Sequence, residues 1–263
     1  MTTPAATRPG AAGSPIDPRI RARRAEVRRR EARRRLRLLL VTFAVVLAAG
    51  GAWFALHSRL FAARVVTVTG ALHTPVGEIV AAAGLADHPP LLDVGAASAA
   101  GVERLPWVAH ATVTREWPDG VRITVVERTP VAVVQEAPAS GGWALVDRTG
   151  RVLARRAHPP AGLVRVESAR PPGPPGSILI GLHAALRVVT SLPRAFAGQV
   201  VRVSEDRAAE VTLQLRSALT VYLGSTAQLA QKYEDVAAIL HEATLTSGST
   251  IDVAAPLSPL VEP

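Results

Sequence analysis

Hydrophobic and polar positions divide the chain into three regimes. Residues 1–37 show no apolar face: 1–18 are mostly Thr, Pro, Ala and Gly, and Arg19–Arg37 is a charge run. Such a stretch buries too little to offset its ordering entropy, and it reads as a disordered, Arg-rich arm. Leu38 to Leu56 then carries no charge over 19 residues. As a helix it spans about 28 Å at ~1.5 Å per residue, close to the hydrocarbon thickness of a bilayer. Trp53 and Phe54 stand near its far end, where an aromatic belt belongs.

From Val65 the period becomes two. Val65–Thr69 is β-rich and closed by Gly70. Thr74 offers an N-cap before Pro75, and Val76, Ile79, Val80 and Ala83 make one face of a helix that Gly84 stops. Asp93 can cap a second helix with Val94, Val102 and Leu105 on one face, ending at Pro106. Ala109, Ala111 and Val113 alternate with His110, Thr112 and Thr114. Val121, Ile123 and Val125 alternate with Arg122, Thr124 and Val126. The turn signal Trp117-Pro118-Asp119-Gly120 lies between the two runs. Strand, helix, helix, strand, strand predicts a small α+β unit over 62–132, with two helices on one face of a three-stranded sheet.

Residues 133–255 predict a mixed β domain. Leu145-Val146-Asp147 with Gly150 and Val152 reads as a hairpin, and Gly181–Leu192 as a short amphipathic helix. Val200–Val203, Val211–Leu215 and Leu219–Leu223 read as strands, Gln228–Leu245 as a final helix and Thr250–Ala254 as a last strand. Arg155–Gly176, rich in Pro, reads as an extended loop, and 256–263 as a Pro-rich tail.

Charge sharpens the topology. The chain has 30 basic and 21 acidic side chains, net +9. Residues 1–37 hold 12 Arg against Asp17, Glu26 and Glu31, so the whole excess lies there and the remainder is neutral. An Arg cluster before an apolar helix places the N-terminus in the cytoplasm and residues 58–263 outside, with anionic headgroups as its partners. No aromatic residue interleaves the Arg run, so nucleic-acid binding has no support. A cleaved signal peptide, with Ala48-Ala49-Gly50 as its site, and a buried core helix are the alternatives. The long n-region and long apolar run oppose the first, and the adjoining Arg residues the second.

Pro106-Trp107-Val108, Ala111, Val113, Arg115, Trp117-Pro118, Val121, Ile123, Val125 and Glu127-Arg128-Thr129-Pro130-Val131-Ala132 resemble the signature of a POTRA domain of the FtsQ type. Val66, Val68, Gly70 and the helix Ile79 to Leu85 match its first half. With the arm and the single span, the chain resembles the FtsQ/DivIB family of bacterial cell-division proteins. That resemblance implies a bitopic scaffold at the division septum of the cytoplasmic membrane. It would bind FtsB/FtsL-type division proteins outside the cytoplasmic membrane and couple them to septal wall synthesis. The resemblance also implies β-augmentation: the edge of the β domain takes up a strand from FtsB.

No chemistry competes strongly with that reading. Without Cys there is no thiol nucleophile, disulfide or Cys-based metal site. His241-Glu242 lacks the second His of a zinc-protease helix, no Gly-x-Ser-x-Gly occurs, and Lys232, the sole Lys, follows Leu229 at three residues. No catalytic residue, metal site or cofactor is expected. Glu127-Arg128 reads as a strand end that fixes the domain junction, and Asp147 as a turn former. A membrane-anchored envelope enzyme and a POTRA-type chaperone for outer-membrane assembly remain the alternatives. Within the scaffold reading, Thr250, Ile251, Asp252, Val253 and Ala254 form the partner-binding edge, because Pro256 and Pro259 stop the chain beyond them. Ile251 and Val253 face the core. An edge merely blunted by the Pro-rich tail is the plainer alternative. Lys232 is expected to pair with an acidic residue of the partner.

Overall fold

The computed structural model describes residues 18–58, 61–136, 141–242, 246, 248–255 and 260–262. It forms two compact units, 1–58 and 59–263. The expected disorder over 1–17 and the prolines at 256 and 259 lie outside the described residues.

Among the described residues, the first unit contains one helix, α1, Pro18–Leu56, of 39 residues. It starts well before Leu38, so the Arg-rich stretch from residue 18 to 37 is helical rather than a disordered arm. Arg, Ala, Glu and Leu are good helix formers, Pro fits a first position, and no Gly or Pro interrupts residues 19–49. Leu38, Leu39, Leu40, Val41, Phe43, Val45, Val46, Leu47, Trp53 and Phe54 are all exposed. A helix segment apolar on every side is suited to lipid as its solvent. Residues 34–56 are long and apolar enough to cross a membrane.

The second unit begins with β1 (Val65–Thr69), α2 (Val76–Ala82), α3 (Ala96–Glu103), β2 (Val108–Glu116) and β3 (Gly120–Glu127). The sheet order is β1-β3-β2, with β1 parallel to β3 and β2 antiparallel to it. Ile79, Leu85, Leu91, Val94 and Val102 pack on Val108, Ala111, Val121, Ile123 and Val125. Gly101 lets α3 approach α2: a Cβ there would lie 2.0 Å from Ala82 O. Three local expectations are corrected. The α2 cap is Pro75, and the Thr74 hydroxyl is buried without a partner. Gly95, not Asp93, precedes α3; Asp93 closes a 3₁₀ turn, Leu91–Asp93. Ala109 is exposed, because the register shifts between Val108 and His110 and breaks the alternation there.

The rest is a nine-stranded sheet in the order β12-β11-β10-β9-β8-β7-β4-β5-β6. Its strands are β4 (Pro130–Gln135), β5 (Trp143–Asp147), β6 (Val152–Arg156), β7 (Val164–Val166), β8 (Val200–Glu205), β9 (Val211–Leu215), β10 (Thr220–Gly224), β11 (Thr250–Asp252) and β12 (Leu260–Glu262). The helices are α4 (His183–Ser191), α5 (Arg194–Ala197) and α6 (Leu229–Glu242). Ala185, Leu186, Val188, Tyr233 and Val236 join the strand residues Val134, Val146, Val203, Leu213, Val221 and Ile251 in one core. The expected boundary at 132/133 falls inside β4. The supposed loop Arg155–Gly176 contains β7, which lies between β4 and β8 and is parallel to both. The tail contains β12, so β11 is not the outermost strand. Residues 243–245 of the expected final helix lie outside the described residues.

Candidate functional site: the C-terminal sheet edge and the domain junction

The last strands are built from the inside out. β10 runs parallel to β11, with Val221 opposite Ile251 and Tyr222 opposite Asp252. Ile251 and Val253 are fully buried, whereas Thr250, Asp252 and Ala254 are half-buried, as the alternation requires. The Val253 N–H donates to Tyr222 O at 3.0 Å, and the Ala254 N–H to Asp252 Oδ1 at 2.8 Å, which closes the strand. Tyr222 donates its hydroxyl to Glu210, a bond that, with partial burial, pushes its pKa up to about 12.

Lys232 does not stand where a partner-facing cation should. It is 1% exposed, and its Nζ donates to Leu223 O at 2.7 Å and Ser225 O at 2.9 Å. Burial pushes the ammonium pKa down, and the Asp252 carboxylate partly opposes that. The expected ion pair with a partner is therefore corrected: Lys232 pins the β10–α6 connection from within. Its spacing on α6, three residues after Leu229 and four before Val236, both packed in the core, was the sequence signal for burial.

The junction between the two sheets is the second polar construction. Glu127 and Arg128, adjacent in sequence, face different partners. Glu127 accepts from the backbone N–H groups of His73 (2.9 Å) and Thr74 (3.0 Å) and lies 2.7 Å from His73 Nδ1. The His73 ring stacks on Trp107, centroids 4.1 Å apart. Arg128 donates from Nε to Val108 O at 2.9 Å and from an Nη to Asp147 Oδ2 at 2.8 Å. The other oxygen of Asp147 accepts from the Thr149 N–H and hydroxyl and from the Arg151 N–H. Arg151 reaches back to Arg104 O at 2.8 Å. Asp147 thus forms the hairpin turn and also joins it to the first sheet. Burial pushes its carboxyl up, but the hydrogen bonds from Thr149, Arg128 and Arg151 outweigh it and hold the pKa below its ordinary value. Among the described residues, no three His, Asp or Glu side chains converge as a metal site.

A membrane-type helix, a β-α-α-β-β unit and a large mixed sheet closed by a helix and short strands define a class: a POTRA unit followed by a division-type β domain. Residues 61–128 match the family described as POTRA domain, FtsQ-type, and 133–254 match Cell division protein FtsQ/DivIB, C-terminal. The chain is 30% identical to the cell division protein FtsQ of Mycobacteroides abscessus over 281 aligned residues, 93% of this chain and 86% of that one. It is 33% identical to FtsQ of Mycobacterium tuberculosis H37Rv, covering 87% of this chain and 70% of the other. Against FtsQ of Streptomyces bingchenggensis the identity is 30%, over 88% and 90%. The chain belongs to the FtsQ/DivIB family of cell division proteins.

Proposed function

We propose that the protein is a non-enzymatic scaffold of the bacterial division machinery, anchored in the cytoplasmic membrane by residues 38–57. Its N-terminus is cytoplasmic, and the POTRA and β domains stand outside at the septum. The β domain takes up an extended segment of an FtsB/FtsL-type division protein at its C-terminal edge and couples that partner to septal wall synthesis. The observation that carries this reading is family membership combined with the build of that edge. The family match runs through residue 254, two residues past β11, and takes in buried Ile251 on the strand and buried Val253 just beyond it. Strand addition supplies backbone hydrogen bonds for affinity and alternate side chains for specificity.

The test is co-purification of the full chain in detergent micelles with the FtsB-type and FtsL-type proteins of the same bacterium. A complex is expected. Val253→Pro removes the N–H that donates to Tyr222 O and so loosens the end of β11 from β10, and partner affinity at the displaced edge should fall at least tenfold. Full affinity in Val253→Pro, with the native circular dichroism spectrum retained, would place the partner elsewhere.

A further inference from the structure

β11 is the strand to which the proposed function brings a partner's segment, and the structure finds it already paired. Leu260–Glu262 runs antiparallel to it, with Thr250 opposite Glu262, Ile251 opposite Val261 and Asp252 opposite Leu260. The two strands are held very differently. β11 is flanked by β10, floored by buried Ile251 and Val253, and closed by Asp252. β12 has three residues and, among the described residues, β11 as its sole strand neighbour. Leu260 is 64% exposed and Val261 44%, so neither side chain is fixed in the core. β12 also lies beyond 133–254, the stretch that matches the FtsQ/DivIB C-terminal domain.

We propose that Leu260–Glu262 is a displaceable placeholder strand, an inference that rests on the partner site proposed above. In the unbound protein it pairs the outer N–H and C=O groups of β11 and so protects the edge from pairing with other chains. A partner's extended segment, antiparallel to β11 and carrying apolar side chains at alternate positions, replaces it. The rigid strand receives, and the weakly held one leaves. Because the tail is tethered a few residues away, it competes at an effective concentration of order millimolar. If it occupies the edge nine-tenths of the time, the partner finds a free edge about one-tenth of the time. Its apparent Kd is then weakened about tenfold.

Three membrane-anchored chains in detergent micelles test this: the intact protein, one lacking residues 256–263, and Val261→Pro. In each, hydrogen exchange is followed across Thr250–Asp252, and affinity is measured for the extracytoplasmic segment of the FtsB-type protein. Both altered chains should lose β11 protection and bind the segment about tenfold more tightly. The free peptide Pro-Leu-Ser-Pro-Leu-Val-Glu-Pro, which is residues 256–263, should restore protection to the deleted chain. Unchanged exchange on deletion overturns the self-pairing. Binding that weakens on deletion makes β12 itself the docking strand and overturns displacement. Lost protection with no binding by any of the three chains upholds the self-pairing and overturns the partner site instead.

Discussion

Asp147 and Lys232 are the two charged residues buried among the described residues of the second unit, and both act on backbone groups as much as on other charges. Asp147 is 3% exposed, and its bond from Arg128 is a side-chain link between the sheets. Replacing one member of a buried pair leaves the other uncompensated, so Asp147→Asn should cost about 3 kcal/mol in chemical denaturation of the full chain. The pH dependence has a definite sign. The folded pKa of Asp147 is depressed below its ordinary value, as is that of Glu127, where bonds from His73 and Thr74 outweigh burial. That stability is fully present above the unfolded carboxylate range and is lost as pH falls through the folded values, below about pH 4. Denaturation midpoints measured down to pH 3 should fall for the intact protein, and fall less for Asp147→Asn. Lys232→Met keeps the length of the side chain and removes the donor for Leu223 O and Ser225 O. Stability should drop by about 2 kcal/mol, because unsatisfied carbonyls cost more than relief of the buried ammonium returns. Asp147 was legible from the sequence as a turn former. Its second bond to Arg128 was not, because it depends on how two sheets meet. Lys232 was misread for the same reason: as the only Lys it draws the eye to charge, whereas its place on α6 puts it inside.

At the level of elements, periodicity revealed what it could reach. β1, α2, β2, β3 and the hairpin of β5 and β6 alternate or repeat over enough residues to stand out. β7 has three residues amid prolines, and its strand character comes from β4 and β8 on either side. β12 is equally short and gains its identity only from β11. The N-terminal half of α1 was hidden by charge density, which resembles a solvated arm in composition while Arg itself favours helix. Packing between elements gives a further prediction. Gly101→Ala would place a Cβ 2.0 Å from Ala82 O, so α2 and α3 must separate. Overpacking of this kind should destabilise the POTRA unit by about 1–3 kcal/mol, read as a lower thermal midpoint. Gly77→Ala, on the open side of α2, should leave it unchanged or slightly raised, since a Cβ there meets nothing within 4 Å.

The whole molecule is divided by charge as well as by structure. All of the net positive charge lies in 1–37, ahead of the apolar part of α1, and residues 38–263 are neutral as a set. That asymmetry predicts a cytoplasmic N-terminus, so alkaline phosphatase fused after the C-terminus should be active and the same enzyme fused at the N-terminus inactive. A mature N-terminus near Gly50 would instead make α1 a cleaved signal. With the protein oriented this way, the POTRA unit, its Asp147-linked neighbour and the C-terminal edge all face the extracytoplasmic space, where the proposed partners would meet them. The most direct measurement of the scaffold claim is photo-crosslinking in dividing cells, with a photoreactive phenylalanine replacing either Thr250 on β11 or Val126 on the exposed face of the POTRA sheet. The account predicts a crosslink from position 250 to a small FtsB-type membrane protein and none from position 126. A crosslink to that protein from position 126 alone would contradict it.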